Sequence, residues 1–197
     1  MTLNLGFLCS HGGSNMEAII KNVIENKLDA NICVCISNNP DAFALTRAKQ
    51  HNIPTYVINE KTYPNAVDNT IINTLKKHNA NTIILAGYMK KLAKEVIDAF
   101  DCRVLNIHPA LLPKYGGKGM YGMNIHKAVI DNGETITGAT IHQVNNLYDD
   151  GRILAQKTIP ILNNDTPQTI ADKVLTIEHI LYTETLIKIA NNEIKFP

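Results

Sequence analysis

Apolar residues follow two rhythms in the first half of the chain, and the rhythms alternate. Short, mostly apolar runs at residues 3–10, 30–37, 55–58, 82–85 and 103–107 have the texture of strands buried on both faces. Between them, residues 14–25, 41–50, 65–77 and 93–100 carry helical spacing. In the first helix Met16, Ile19, Ile20, Val23 and Ile24 share one face, and in the second Asp41 lies near the positive end. Regular alternation of strand and helix predicts a parallel sheet covered on both faces. The pattern changes after residue 122. A helix over 123–130 is followed by strands at 138–144 and 153–161, joined by a polar turn at 145–151. Two strands joined without a helix predict an antiparallel addition. Thr166 and Pro167 then suit the cap and first position of a long last helix, whose apolar face is Ile170, Val174, Ile177, Leu181 and Ile187. The expected fold is α/β: a Rossmann-like, mostly parallel sheet flanked by helices, with an antiparallel addition near the C-terminus. With no internal repeat or linker, residues 1–197 read as a single domain.

Composition narrows the partners. The chain has 197 residues, 45% hydrophobic, and 19 basic against 18 acidic residues give a net charge of +1. No polybasic surface for nucleic acid or for an anionic membrane is indicated. No basic leader precedes the first strand, and no apolar run is long enough to span a bilayer. Cys9, Cys33, Cys35 and Cys102 contain no Cys-x-x-Cys pair, so buried free thiols in a reducing cytoplasm are expected. Cys33 and Cys35, two apart on one strand, are expected to share a face.

Three segments carry candidate chemistry. In Asn106-Ile-His-Pro109 two polar side chains point the same way at the end of an apolar strand, where open α/β sheets bind ligands. An amide can stabilise an oxyanion, and an imidazole can move or lend a proton. The alternative is a polar strand end bonded to nearby loops. The loop Cys9-Ser-His-Gly-Gly-Ser-Asn15 lets backbone approach a ligand and leaves helix N–H groups free for one phosphate, or it is an ordinary tight turn. Asp149 and Asp150 sit in the polar turn; solvated turn residues are the simplest account, and a fold-back over the sheet end would bring one of them to His108 and raise its pKa. His51, His78 and His126 are expected at the surface, His142 either faces the site or is an ordinary strand histidine, and His179 follows Glu178 on the last helix. No metal-ligand spacing occurs, so no metal is expected.

These segments have an order. Ser14-Asn15 after a glycine-rich turn, Ile36-Ser-Asn-Asn-Pro-Asp-Ala-Phe43, Ala86-Gly-Tyr-Met89, Asn106-Ile-His-Pro109, Leu111-Leu-Pro-Lys114 and Asp149-x-Gly151 resemble the folate-dependent formyltransferases over nearly the whole chain. Within that family the Gly-Gly-Ser-Asn loop favours the branch that formylates glycinamide ribonucleotide in purine synthesis. The resemblance implies a catalytic trio of Asn106, His108 and Asp149. It implies a ribonucleotide site at Gly13, Ser14, Asn15 and Glu178, and a folate wall at Met89, Lys90, Leu92 and Asn106. The implied formyl donor is 10-formyltetrahydrofolate, with small molecules as the only partners and a monomer or homodimer as the working form. The implied mechanism has Asn106 and a protonated His108 donating to the formyl oxygen, while Asp149 holds His108 charged and helps move the amine proton, through water, to the departing folate nitrogen. Two features depart from the family: His11 stands where glycine is usual, and residues 114–122 are unusually rich in glycine, with Lys118 either solvated or reaching a phosphate.

Methionyl-tRNA formyltransferases share the trio but carry an added C-terminal RNA-binding domain. Formyltetrahydrofolate hydrolases share it and usually carry an N-terminal regulatory domain. A non-catalytic binding module on the same fold would not need all three residues. The end of the chain soon after its last helix and a net charge of +1 count against the first, the start of the first strand at Leu3 counts against the second, and the intact trio speaks against the third; a hydrolase or a formyltransferase acting on another amine stays as the alternative expectation.

Overall fold

The computed structural model describes residues 2–195; Met1, Phe196 and Pro197, within the 1–197 expectation, lie outside them. Its elements follow the expected order: β1 (Leu3–Cys9), α1 (Ser14–Ile24), β2 (Ala30–Ser37), α2 (Phe43–Gln50), β3 (Thr55–Val57), α3 (Val67–Lys77), β4 (Thr82–Leu85), α4 (Lys94–Asp98), β5 (Val104–His108), α5 (Met123–Asp131), β6 (Ile136–Gln143), β7 (Ile153–Pro160) and α6 (Pro167–Ala190). The strands form one seven-stranded sheet in the order β3-β2-β1-β4-β5-β6-β7. The pairs from β3 to β5 are parallel, and β6 and β7 are antiparallel. The order reverses between β1 and β4, which opens a crevice beyond their C-terminal ends.

Both faces of the sheet are covered, which is why the strands read as continuous apolar runs. On one face α1, α2 and α6 pack Met16, Ile19, Leu45, Val174 and Leu186 over Leu5, Phe7 and Ile141. On the other, α3 and α4 pack Ile71, Leu75, Val96 and Ile97 over Leu8, Val34 and Ile83. Thr166 caps α6 as expected: its hydroxyl accepts from Thr169 N–H at 3.2 Å, while Thr169 Oγ1 accepts from Thr166 N–H at 2.9 Å. Tyr182, fully buried on α6, donates its hydroxyl to the Leu105 carbonyl at 2.9 Å and lies 3.3 Å from that of Leu85. It ties the last helix to the strands beneath the crevice.

The structure corrects several local expectations. Cys33 and Cys35 do not share a face. The β1–β2 register jumps from Leu5↔Ile32 to Gly6↔Val34, so Cys33 is the extra residue of a bulge. Cys35 enters one core and Cys33 rests against the other. Cys102 is exposed rather than buried, in a turn where it and Asp101 both have positive φ. Ile24 is 60% exposed because α1 ends there and turns its last residue away from the sheet. Asp41 precedes α2, which begins at Phe43 with no side-chain cap; Asp41 is held instead in a turn, its N–H donating to Asn39 Oδ1 at 3.0 Å. His126 is buried on α5, not at the surface.

Tyr182→Phe removes a buried hydroxyl and its bond to the Leu105 carbonyl. It is expected to cost about 1–2 kcal/mol and to lower the thermal midpoint by roughly 2–6 °C. An unchanged midpoint in a melting experiment would show that the helix is held by packing alone.

Candidate active site

β5 ends in the crevice, and its last polar residues are fixed by the strand beside it. Antiparallel β6 pairs Asn106 with His142 and His108 with Thr140. His142 Nδ1 lies 2.9 Å from the Gln143 carbonyl and donates to it, which turns Nε2 toward Asn106 and Asp149. Asn106 Nδ2 lies 3.1 Å from that Nε2. One amide hydrogen of Asn106 is thereby used to orient the group, and the second remains for a ligand. Beyond Pro109, Thr140 Oγ1 donates to the Ala110 carbonyl at 2.6 Å and accepts from Leu112 N–H at 3.1 Å and Gln156 Nε2 at 2.9 Å. These bonds pin the chain as it leaves β5.

Asp149 comes back over the same strand end. Its carboxylate is 3.5 Å from His108 Nδ1 and 3.6 Å from His142 Nε2, and it accepts from Gly117 N–H at 3.0 Å. Asp150 is exposed. Gly151 explains the spacing of the turn: a side chain there would put Cβ 1.7 Å from the Gln143 carbonyl, so the backbone can close over β6 only at a glycine. Burial pushes the His108 imidazole below its ordinary pKa, outweighing the opposing pulls of Asp149 and the Tyr115 carbonyl. The expected rise is therefore reversed, because the ring is almost fully removed from water. Burial draws the Asp149 carboxyl upward, but His142, His108 and the Gly117 N–H together hold it below the usual value.

The loop after β1 meets the other end of the same crevice. Gly13 has φ of 67° and precedes α1, and an added Cβ would sit 2.6 Å from Ala44 Cβ. A left-handed turn this close to α2 requires glycine. His11 is not among the residues with positive φ, so the departure from glycine there costs no strain. Arg47 Nε donates to the Gly12 carbonyl at 3.0 Å and steadies the loop. Asn15 Nδ2 donates to Glu178 Oε2 at 2.7 Å; both residues are buried. Burial raises the Glu178 carboxyl from 4.5 to about 7, against the lowering effect of Asn15.

A cleft of about 640 Å³ joins these parts. It brings together Asn106, His108, Asp149, Asn15, Glu178, Met89, Lys90 and Leu92, with Lys118 on its wall. Gly13 and Ser14 adjoin it without lining it. The volume suits a ligand of cofactor size. Ser10 links the two ends: its hydroxyl donates to Asn38 Oδ1 at 2.5 Å and accepts from Met89 N–H at 2.8 Å. The Met89 N–H is therefore committed to the protein. Among the described residues no group of three or more His, Cys, Asp or Glu side chains is placed to hold a metal.

Sequence reasoning left His142 open and did not single out Tyr115, Gly117 or Ser10. The order of polar residues on β6 pointed at His142; the other three act through backbone or neighbouring loops and have no pattern of their own.

A doubly wound sheet that gathers an amide, an imidazole and a carboxylate at its switch point, in a cleft with a free helix N-terminus, defines a small-molecule group transferase of the acyl-transfer kind. The family model for formyl transferases matches residues 3–186, and the chain belongs to that family. It is 38% identical to the chloroplastic phosphoribosylglycinamide formyltransferase of Arabidopsis thaliana over 98% of its length, covering 67% of that protein. It is 31% identical to the phosphoribosylglycinamide formyltransferase of Escherichia coli over 98% of its length, covering 90% of that protein. The solved phosphoribosylglycinamide formyltransferase of Coxiella burnetii superposes with a TM-score of 0.91 at 36% identity, over 100% of this chain and 91% of that one.

The Glu178 carboxyl generates a stability prediction. Its folded pKa lies above its unfolded one, so the protein carries no penalty below pH 4.5 and the full penalty above about 7. Glu178→Gln is expected to stabilise the free protein at pH 8 by on the order of 3 kcal/mol, and to change it by less than about 0.5 kcal/mol at pH 4.5. Equal melting of both proteins at pH 8 would mean that the carboxyl ionises freely.

Proposed function

We propose that this chain transfers the formyl group of 10-formyltetrahydrofolate to the amine of 5′-phosphoribosylglycinamide, giving formylglycinamide ribonucleotide and tetrahydrofolate in purine (IMP) biosynthesis. The observation that carries this reading is the convergence of Asn106, His108 and Asp149 in one cleft between the loop at 13–15 and the wall at 89–92. We read residues 1–197 as one formyltransferase domain, acting on small molecules as a monomer or homodimer. Four free cysteines favour the cytoplasm. Among the described residues no helix is long and apolar enough to cross a membrane.

At one end, the N–H groups of Gly13, Ser14 and Asn15 at the start of α1 receive the substrate phosphate. Glu178, placed by Asn15, receives the ribose hydroxyls. At the other end Lys90 and Leu92 offer backbone groups to the pterin, and Met89 and Leu92 offer apolar contact. The amine nitrogen attacks the formyl carbon; the C–O π pair moves to oxygen, and the tetrahedral centre forms. The free amide hydrogen of Asn106 donates to that oxygen. In the described conformation His108 Nε2 is engaged by Tyr115, which supports a different role for the ring from the oxyanion contact implied by resemblance. Its Nδ1, with Asp149 behind it, takes the proton lost by the amine. The proton then passes to the folate nitrogen as the C–N bond breaks and the carbonyl re-forms. Low pKa values in both groups keep the pair deprotonated before substrate arrives.

A folate hydrolase would use the same three residues with water as acceptor. The built ribonucleotide end, Asn15 against Glu178 beside a glycine turn, favours the amine. Tetrahydrofolate formation followed by absorbance is expected to require the ribonucleotide. It is expected to fall by about 10²–10³-fold in Asn106→Ala, and sharply in Asp149→Asn, where both substrates still bind. Equal product without the ribonucleotide would assign the hydrolase instead. Undiminished turnover in Asp149→Asn would remove that residue from the mechanism.

A further inference from the structure

His108 and Asp149 are both held from one side by three consecutive residues. The Tyr115 carbonyl lies 2.7 Å from His108 Nε2. Two residues on, Gly117 N–H donates to Asp149 Oδ2 at 3.0 Å. Gly116, between them, is packed so tightly that a Cβ would lie 2.6 Å from Leu112 Cδ2 and 3.2 Å from Asp149 Cβ. Local preference does not hold this tripeptide in place. Tyr115 has φ of 58°, an unfavourable conformation for a bulky side chain, and Gly117 has φ of 95°. The restraint comes from outside the cleft. The Tyr115 hydroxyl donates to Glu134 Oε1 at 2.9 Å, and Lys114 Nζ meets the same oxygen at 2.9 Å. The Tyr115 ring packs on Ala110, Ile125 and Val129. Glu134 lies between α5 and β6, tied by its own N–H to the Val129 carbonyl at 3.2 Å.

We propose that residues 115–117 form a backbone clamp that decides where the hydrogen sits in the His108–Asp149 pair, and that Glu134 is the positioning residue that anchors the clamp. The argument is one of donors and acceptors. A carbonyl only accepts, so the neutral His108 ring carries its hydrogen on Nε2. A backbone N–H only donates, so Asp149 Oδ2 is held as an acceptor, and the carboxyl, kept below its usual range, is ionised at neutral pH. Nδ1 is then bare and 3.5 Å from a carboxylate oxygen, and the pair is one proton short. The opposite neutral tautomer, with hydrogen on Nδ1, would bond to Asp149 itself and close the gap before a substrate delivered its proton. Other titratable groups face the ring as well: His142 from β6 and His126 from α5. Their charges bear on how readily the ring ionises, whereas the Tyr115 carbonyl, at 2.7 Å against 3.5 Å for the Asp149 oxygen, favours hydrogen on Nε2 over the opposing pull of Asp149. The functional consequence rests on the proton-carrying role proposed above; the tautomer itself does not.

The test uses the whole chain labelled with ¹⁵N-histidine, with His108 assigned by loss of its signals in His108→Asn. Wild type is expected to show the Nε2–H tautomer at pH 8. Tyr115→Phe and Glu134→Ala are expected to show a several-fold larger Nδ1–H population. Their kcat is expected to fall by about tenfold with little change in either KM. Glu134→Gln retains an acceptor oxygen and is expected to stay within about twofold of wild type. If Glu134→Ala fails to fold, Tyr115→Phe carries the test. An unchanged Nε2–H signature in the folded variants overturns the clamp. A changed tautomer with unchanged kcat upholds the clamp and overturns the proton-carrying role of the pair.

Discussion

The antiparallel pairing of β5 with β6 is the constraint on which the rest of the site depends. It sets His142 opposite Asn106 and Thr140 opposite His108. The first pairing turns the Asn106 amide and leaves one of its hydrogens free. The second lets Thr140 hold the chain that leaves β5. The return from β6 then crosses the sheet end, where Gly151 closes on the Gln143 carbonyl and delivers Asp149 to His108. A shift of the strand by one residue would send Asn106 and His108 to the opposite face. The register is specified because β6 is buried along nearly its whole length.

The site is also where the fold departs from its easiest state. Tyr115 and Asp149 both occupy left-handed backbone conformations. Glu178 is buried with Asn15 as its side-chain partner, and Asn15 Oδ1 is itself buried without a hydrogen bond. Such features destabilise a free protein and persist where surrounding packing determines them. Here that packing is the two-sided core, with Tyr182 fastening α6 to the strands below the cleft. Positioned polar groups at the strand ends are thus carried by a rigid apolar body, which suits a reaction that relies on orienting two ligands.

Local signals were read well where their causes are local. β2 and β4 have the expected bounds, and α6 begins at the Thr166–Pro167 cap, because a strand run or a capping box is decided by adjacent residues. The errors have longer-range causes. Cys33 left its expected face because a bulge against β1 absorbed one residue. His126 looked like a polar helix position, yet α5 lies over the loop from β5 and buries it. The His108 pKa was expected to rise beside a carboxylate. It falls because the loss of water around the ring outweighs the charge next to it.

By itself the sequence determined the alternation of strand and helix and the antiparallel addition, and it marked the three polar segments that the fold gathers around one cleft. Periodicity, caps and turn residues act over a few positions, and the family motifs lie in the chain in plain order. Only the tertiary structure decided which nitrogen of His108 faces a backbone carbonyl, how the Asn106 amide is turned, and which aspartate of the late turn meets the imidazole. Those choices depend on strand register, on a backbone carbonyl at Tyr115 and on the exclusion of water. All three are set by residues distant in sequence, and a backbone group presents the same donor and acceptor whatever residue carries it.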